Sequence, residues 1–306
     1  MRESIVAVVI VASFVLYVAS SAPRPFPLGA VVTIPKATSI SGTGVLLAQA
    51  GVVRSATLFR LVNGPRILHA GTYVFETPQH VFRIASRIRE GEQGFEPVKI
   101  TFPEGETARE MAERVSTTFP HISIEAFRTE VAEYEGFLFP ETYVFSPFTD
   151  SASIVRKMRD TFTKKIAPFA PEVSASGHSL SEIVIMASLI EKEARTSEAR
   201  RMVSGILWNR IDLGMALQVD AVFGYIFNRD TYSPSFADLK VDSPYNTYLF
   251  KGLPPGPISN PGLDSIDAAL HPTETAYLYY LTGSDEKMHY ATTYAGHLEN
   301  QRRYLK

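Results

Sequence analysis

A glutamate, Glu191, stands at the end of an apolar run that is typical of a buried helix. Ser179 and Glu182 have the spacing of a capping box, which predicts a helix start. The residues from Ile183 to Ile190 are all apolar or small, so every face of this helix would be buried. The helix would therefore deliver one carboxyl to the rim of a core. A carboxyl that apolar neighbours partly remove from water has a raised pKa, which general acid catalysis near neutral pH requires.

The position of Glu191 has a second interpretation. At about 100° per residue, Lys192 and Glu193 would point away from it. The neighbours on its own face would be Val184, Ala187, Ser188, Arg195 and Glu198. Glu191 could thus be an ordinary solvated residue paired with Arg195, because most glutamates at such boundaries are structural.

Polar side chains that could hold a ligand follow in two segments. Gln218 and Asp220 alternate with buried-type residues, which predicts two polar groups on one side of an extended segment. The second segment is a loop rich in proline and glycine, Gly252 to Gly262. It follows four residues with amide and hydroxyl groups: Tyr245, Asn246, Thr247 and Tyr248. Long loops of this kind tend to be functional, and a purely structural loop is the alternative.

A third candidate segment, Glu135 to Phe145, combines three phenylalanines with two acids. Aromatic rings beside carboxylates suit stacking on sugar faces, although such rings more often fill a core. We predict a cleft between the buried helix and the loops near Gln218 and Tyr245, with Phe137 and Glu141 on its wall.

Composition excludes several classes of protein. The 306 residues, 45% hydrophobic and 20% charged, are typical of a globular chain with room for two domains. A net charge of -2 gives no case for nucleic-acid binding. The absence of cysteine excludes disulfides and thiolate metal sites, and there is no H-E-x-x-H string, so neither a metal nor another cofactor is predicted.

The N-terminus predicts a membrane anchor. Ser4 to Ala22 has no charge over 19 residues, and as a helix it would be roughly 28 Å long, close to the thickness of the hydrocarbon core. A cleavable signal peptide is the alternative, but cleavage after Ala22 would place Pro23 beside the scissile bond. Residues 1–3, with Arg2, would be a cytoplasmic stub, and the rest of the chain would be extracytoplasmic.

Short strand and helix units occupy the next part of the chain. Val31 to Ala50 and Lys99 to Val115 both predict a strand, a turn and a helix, with a strand at Gly71–Phe75 and a helix at Val81–Ile88 between them. Such units suit a binding module; a plain scaffold is the alternative.

The later part predicts a mixed domain. The pattern predicts an amphipathic helix at Ser151–Ile166 and a polar linker at Pro168–Ser179. It also predicts a helix at Leu263–Leu270 and a strand at Tyr277–Leu281. The predicted fold is therefore α+β: an anchor at residues 4–22, a small module at 23–134 and a mixed domain at 135–306 built round the buried helix.

Several strings, in this order along the chain, resemble those of the endolytic murein transglycosylase family, also called YceG-like. They are AGTYVF (70–75), EGFLFPETY (135–143), ASLIEKEA (187–194), WNR (208–210), GMALQVDAV (214–222), PYNTY (244–248), GLPPGPISNPG (252–262) and AALHP (268–272). The resemblance covers nearly the whole chain. It implies a single-pass protein of the inner membrane with a LysM-like module, followed by an extracytoplasmic domain that cleaves peptidoglycan glycan strands. Penicillin-binding proteins and other wall synthases are the implied partners.

The resemblance matches Glu191 to the catalytic glutamate of the family, and one carboxyl is enough for that chemistry. The C6 hydroxyl of N-acetylmuramic acid can attack C1 without water and form a 1,6-anhydro sugar. Glu191 would first protonate the glycosidic oxygen and then deprotonate that hydroxyl.

The other candidate residues would then bind substrate. Gln218 and Asp220 would orient the sugar or hold Glu191, while Asn246 and Tyr248 would bind N-acetyl or hydroxyl groups. Glu198 and Glu141 are the candidates for a second acid if the reaction were hydrolytic. The alternative function is a non-enzymatic peptidoglycan-binding scaffold that recruits wall synthases.

Overall fold

The chain is a mixed α+β protein made of two compact units. The computed structural model describes residues 2–229 and 234–305, so Met1, the first residue of the predicted cytoplasmic stub, lies outside the described residues. The units are Met1–Val98 and Lys99–Lys306. Each contains its own hydrophobic core.

The first unit consists of two strands and four helices. In chain order they are α1 (Arg2–Ser20), β1 (Ala30–Ile34), α2 (Ile40–Gln49), α3 (Ala56–Asn63), β2 (Gly71–Phe75) and α4 (Val81–Glu90). The two strands form an antiparallel pair in which Ala30 lies opposite Phe75 and Ile34 opposite Gly71. The helices α2 and α3 are thus inserted between two paired strands.

Capping and close packing define these helices. Ser39 and Ser55 accept N–H donors in the first turns of α2 and α3. The two helices pack tightly at Gly44, where a Cβ atom would lie 2.8 Å from the carbonyl oxygen of Ala56. The core beneath the strands contains side chains such as Tyr73, which is fully buried.

The predicted membrane anchor is not confirmed. Among the described residues, no single helix is long and apolar enough to cross a membrane, and the apolar stretch Val6–Ser20 within α1 is shorter than a span. One bent pair, Ser151–Ser176 with Leu180–Glu193, meets the requirement by length and composition, with an angle of 106° between its parts. The anchor at residues 4–22 stays a prediction.

The second unit contains the remaining elements. In chain order they are β3 (Val98–Thr101), α5 (Ala108–Thr118), α6 (Ile124–Val131), β4 (Thr142–Phe145), α7 (Ser151–Ile166), α8 (Ala170–Ser176), α9 (Leu180–Glu193), α10 (Ser197–Asp212), α11 (Ala221–Phe227), α12 (Leu263–Leu270), β5 (Tyr279–Thr282), β6 (Met288–Ala291) and α13 (Tyr294–Tyr304). Its strands form two separate pairs, β3 with β4 and β5 with β6.

Helix α9 is the centre of the second unit. The predicted capping box at Ser179 and Glu182 is present, and every residue from 183 to 190 is buried. Helices α10, α11 and α12 pack around it. The loop between Gly252 and Gly262 is fixed to α9 as well, since Ser188 Oγ accepts the Ile258 N–H at 3.0 Å.

The structure corrects two sequence predictions around this helix. Pro168–Ser179 is not a polar linker, because most of it folds into a turn of 3-10 helix and α8, each with a proline in its first turn. The helix also does not continue past Glu193. Ala194 is extended, with φ -136° and ψ 140°, and Thr196 caps α10 as a new helix. Arg195 and Glu198 therefore do not extend the face of α9 that carries Glu191.

The border between the units lies at residues 98 and 99 rather than at 134 and 135. Residues 99–134 belong to the second unit, and Glu135 links them to a later segment of it. Its carboxylate accepts the Ala108 N–H at 3.0 Å and a donor from Asn260 at 3.0 Å. Burial raises the pKa of Glu135 to about 7.

Candidate active site

A cleft of about 1360 Å³ in the second unit lies beside the junction of α9 and α10. Its wall includes Glu191, Glu193 and Glu198 from that junction, together with Asp220 before α11. The first turns of α5 and the hairpin of β5 and β6 complete it. The carboxyls at the end of the central helix thus face a space large enough for several sugar rings.

Glu191 is held by donors on both of its oxygens. Only 5% of its side chain is exposed. Arg200 Nη2 donates to Oε1 at 2.5 Å, and the Gly262 N–H donates to Oε2 at 3.0 Å. Through these two bonds the Glu191 side chain links α9 to α10 and to the glycine and proline loop. The expected partner Arg195 does not fill this role.

Glu104 and Asp264 complete a charged cluster around Arg200. Asp264 Oδ2 accepts from Arg200 Nη1 at 2.6 Å. Burial raises the pKa of Glu104, and the nearby Glu191 raises it further. A Cβ atom at Gly262 would collide with the Glu104 carboxylate, so any larger residue there would displace the Glu104 side chain. Four charges of this cluster come from four separate segments, which sequence spacing could not have brought together.

Glu193, two residues further on, has the properties of a proton donor. Its pKa is raised to about 7, mainly by burial, and the nearby charge of Asp220 contributes to the rise. The Tyr280 hydroxyl donates to Oε2 at 2.9 Å, which favours the ionised form and limits this rise. The residue is partly exposed to the cleft, so the carboxyl can meet a ligand while carrying a proton near neutral pH.

Asp220 lies next to this group and is oriented by a second tyrosine. The Tyr248 hydroxyl donates to Asp220 Oδ1 at 2.6 Å. Behind these residues, Arg210 is buried and donates to the carbonyl oxygens of Leu278 and Leu217, at 2.6 and 2.7 Å. Each of the two cleft carboxyls is therefore oriented by the hydroxyl of its own tyrosine.

Two of the predicted polar loop residues do not face the cleft. Asn246 and Thr247 are buried, and their side chains bind backbone groups rather than the cleft. The Asn246 amide donates to the carbonyl oxygens of Leu239 and Val241, and Thr247 Oγ1 accepts the Val219 N–H at 3.0 Å. Buried polar groups need hydrogen-bond partners, and these amide and hydroxyl groups find theirs in the backbone. They therefore stabilise the conformation of the loop.

Three further predicted residues lie outside the cleft wall. The Glu141 carboxylate lies 3.5 Å from Lys165, and Tyr245 packs on Tyr225 with ring centroids 5.0 Å apart. Gln218 is exposed, with φ at 52°. Of the predicted site residues, Glu191, Glu198 and Asp220 line the cleft, and Tyr248 reaches it through Asp220.

The aromatic residues near Glu141 fill the core rather than the cleft wall. Phe139, Tyr143 and Phe145 are buried. Phe137 packs on Phe162, with ring centroids 5.1 Å apart. The expected stacking platform for sugars is therefore not found in this segment.

Comparison with known proteins decides the family. The YceG-like family matches residues 32–303 of the chain. The chain belongs to the YceG-like family. A YceG-like protein from Listeria monocytogenes, known from a crystal structure, is 30% identical, with a TM-score of 0.61 over 88% of this chain and 98% of that one.

Two curated relatives carry the same name. The endolytic murein transglycosylase of Bacillus subtilis (strain 168) is 28% identical over 304 residues, which cover 90% of this chain and 84% of the relative. The endolytic murein transglycosylase of Streptococcus pneumoniae serotype 2 is 27% identical over 314 residues. This match covers 88% of the YceG-like chain but only 57% of the pneumococcal protein.

Proposed function

We propose that this YceG-like protein is a lytic transglycosylase that cleaves the bond between N-acetylmuramic acid and N-acetylglucosamine inside peptidoglycan strands. The observation that carries the proposal is a carboxyl with a pKa of about 7, Glu193, on the wall of a large cleft next to a second carboxyl. The names of the two curated relatives support the substrate class.

We assign the proton transfer to Glu193, not to Glu191 as the sequence predicts. Both oxygens of Glu191 already accept hydrogen bonds, from Arg200 and from the Gly262 N–H, so neither oxygen is free to approach a glycosidic oxygen. Glu193 would protonate the glycosidic oxygen as the bond to C1 breaks. The C6 hydroxyl of the same muramic sugar would then attack C1, and the Glu193 carboxylate would take the hydroxyl proton. The Asp220 carboxylate would stabilise the positive charge that develops on the sugar.

Two finer features belong to the same proposal. The arrangement of α2 and α3 between the antiparallel strands β1 and β2 supports a small LysM-like module that binds glycan. The uncharged segment at residues 4–22 supports an anchor in the plasma membrane, with both units outside the cytoplasm, where wall synthases would be its partners.

Mass spectrometry of the products tests the reaction. Purified protein incubated with peptidoglycan strands should release fragments whose muramic ends are lighter by one water molecule than hydrolysis products, because the attack is internal. Fragments of the hydrolysis mass would contradict the transglycosylase reaction. Binding of strands without any cleavage would favour the scaffold function instead.

The pH dependence gives a second test of the proton donor. Because the reaction begins from protonated Glu193, kcat/KM should fall as pH rises through about 7, by up to about tenfold per unit above it. The substitution Tyr280→Phe removes a donor that favours the ionised carboxyl, so it should move this fall to higher pH. A pH profile that Tyr280→Phe leaves unchanged would argue against Glu193 as the titrating acid.

A further inference from the structure

Arg109 occupies a position in the cleft that the proposed reaction does not explain. It lies in the first turn of α5, is half-buried and lines the cleft. Its Nε atom is buried without a hydrogen-bond partner. Among residues 2–229 and 234–305, Arg109 forms no ion pair. A buried polar atom without a partner is uncommon in folded proteins and calls for an explanation.

The acids nearest to Arg109 along the chain are bound to other groups. Glu110 closes the capping box with Thr107, and Glu113 pairs with Arg128 at 2.8 Å. Glu135, whose charge Arg109 influences, accepts from Ala108 and Asn260. The usual internal partners of an arginine are therefore already engaged.

The other cleft carboxyls are also engaged. Glu191 binds Arg200, Glu193 accepts from Tyr280, and Asp220 accepts from Tyr248. Arg109 thus lines the cleft among carboxyls that are engaged elsewhere, and a guanidinium fork fits a carboxylate with two parallel hydrogen bonds.

We propose that Arg109 binds a carboxylate of the glycan strand, a binding site that rests on and deepens the proposed function. Each N-acetylmuramic acid carries a lactyl group whose carboxyl is either free or joined to a peptide stem, and the stems themselves carry carboxylates. Both sources offer the same chemistry to a guanidinium. This contact would distinguish muramic strands from neutral chains of N-acetylglucosamine.

Binding measurements separate the two sources. The ligands are strands with intact stems, strands stripped by an amidase, and stripped strands whose lactyl carboxyls are converted to methylamides. Glu193→Gln is the background, so that strands are not cleaved during the measurement. Adding Arg109→Gln should raise Kd about tenfold for strands that carry the carboxylate bound by Arg109. This is the factor expected from one charge-assisted hydrogen bond. The Kd for methylamide strands should stay unchanged.

Two control variants keep the test decisive. Arg114→Gln removes an arginine of the same helix that pairs with Glu106 and lies outside the cleft wall, so it should not change Kd for any strand. Arg109→Lys keeps the charge but loses the fork, and should give an intermediate Kd. Thermal unfolding of each variant shows whether the fold is retained.

The results that would contradict this inference differ from those that would contradict the proposed function. An equal change of Kd for methylamide and charged strands, or no change for either, would overturn the role of Arg109 even if the protein cleaves strands. Absence of cleavage by the unsubstituted protein, combined with binding that depends on Arg109 and on the carboxylate, would overturn the reaction and support the binding site.

Discussion

Glu193→Gln should lower kcat on peptidoglycan strands by a factor of about 10² to 10⁴, the range that a positioned general acid contributes. Glutamine keeps the shape of the side chain and can still accept from Tyr280, but it has no proton that can be transferred. Strand binding should therefore change little. Release of soluble fragments under saturating substrate, with Kd measured separately, checks both expectations.

Glu191→Gln is the matched comparison, because the same change is made two residues earlier on the same helix. It should keep kcat within about tenfold of the unsubstituted protein and lower its stability, since the bond to Arg200 loses one of its charges. An inactive Glu191→Gln protein of normal stability, beside an active Glu193→Gln protein, would return the acid role to Glu191 as the sequence predicts.

Arg200→Met should lower the free energy of unfolding of the second unit by about 3–5 kcal/mol, the cost of leaving a buried charge without its partner. The side chains of Arg200 and Glu191 are only 12% and 5% exposed. The single tryptophan, Trp208, lies in α10 at 8% exposure, so its fluorescence during denaturation by urea reports this unit.

The adjacent arginine provides the control for this prediction. Arg201 pairs with Asp267 at 2.6 Å, but 48% of its side chain is exposed, so Arg201→Met should cost at most about 1 kcal/mol. Adding Glu191→Met to Arg200→Met should restore part of the loss, because the unpaired charge is then removed. Equal effects of the two arginine variants would show that burial of the pair contributes little.

Local patterns in the sequence predict much of the fold. The capping box at Ser179 is present, and α7 and α12 occupy the predicted ranges. The strand Gly71–Phe75 also has its predicted bounds. These elements depend on hydrogen bonds and apolar periodicity within a few residues, which sequence alone contains.

The candidate site depends on contacts between distant segments, and these were harder to predict. The helix ends at Glu193 without a proline or glycine nearby, and Arg200 reaches Glu191 only because of that break. Glu193 faces Tyr280, which is 87 positions away. The IEKE string contains both glutamates, so the signal for a second acid was present in the sequence. The burial of Glu193, however, depends on α11 and β5.

Glu193 is the last residue of α9, so the dipole of the helix backbone acts on its carboxyl. The peptide dipoles of a helix add up to about half a negative elementary charge at the C-terminal end. A carboxylate placed there is repelled, so the helix dipole acts in the same direction as burial, which raises the pKa of Glu193. An insertion that lengthened α9 beyond Ala194 would move the free carbonyl groups away from this side chain, and the acid would release its proton more readily.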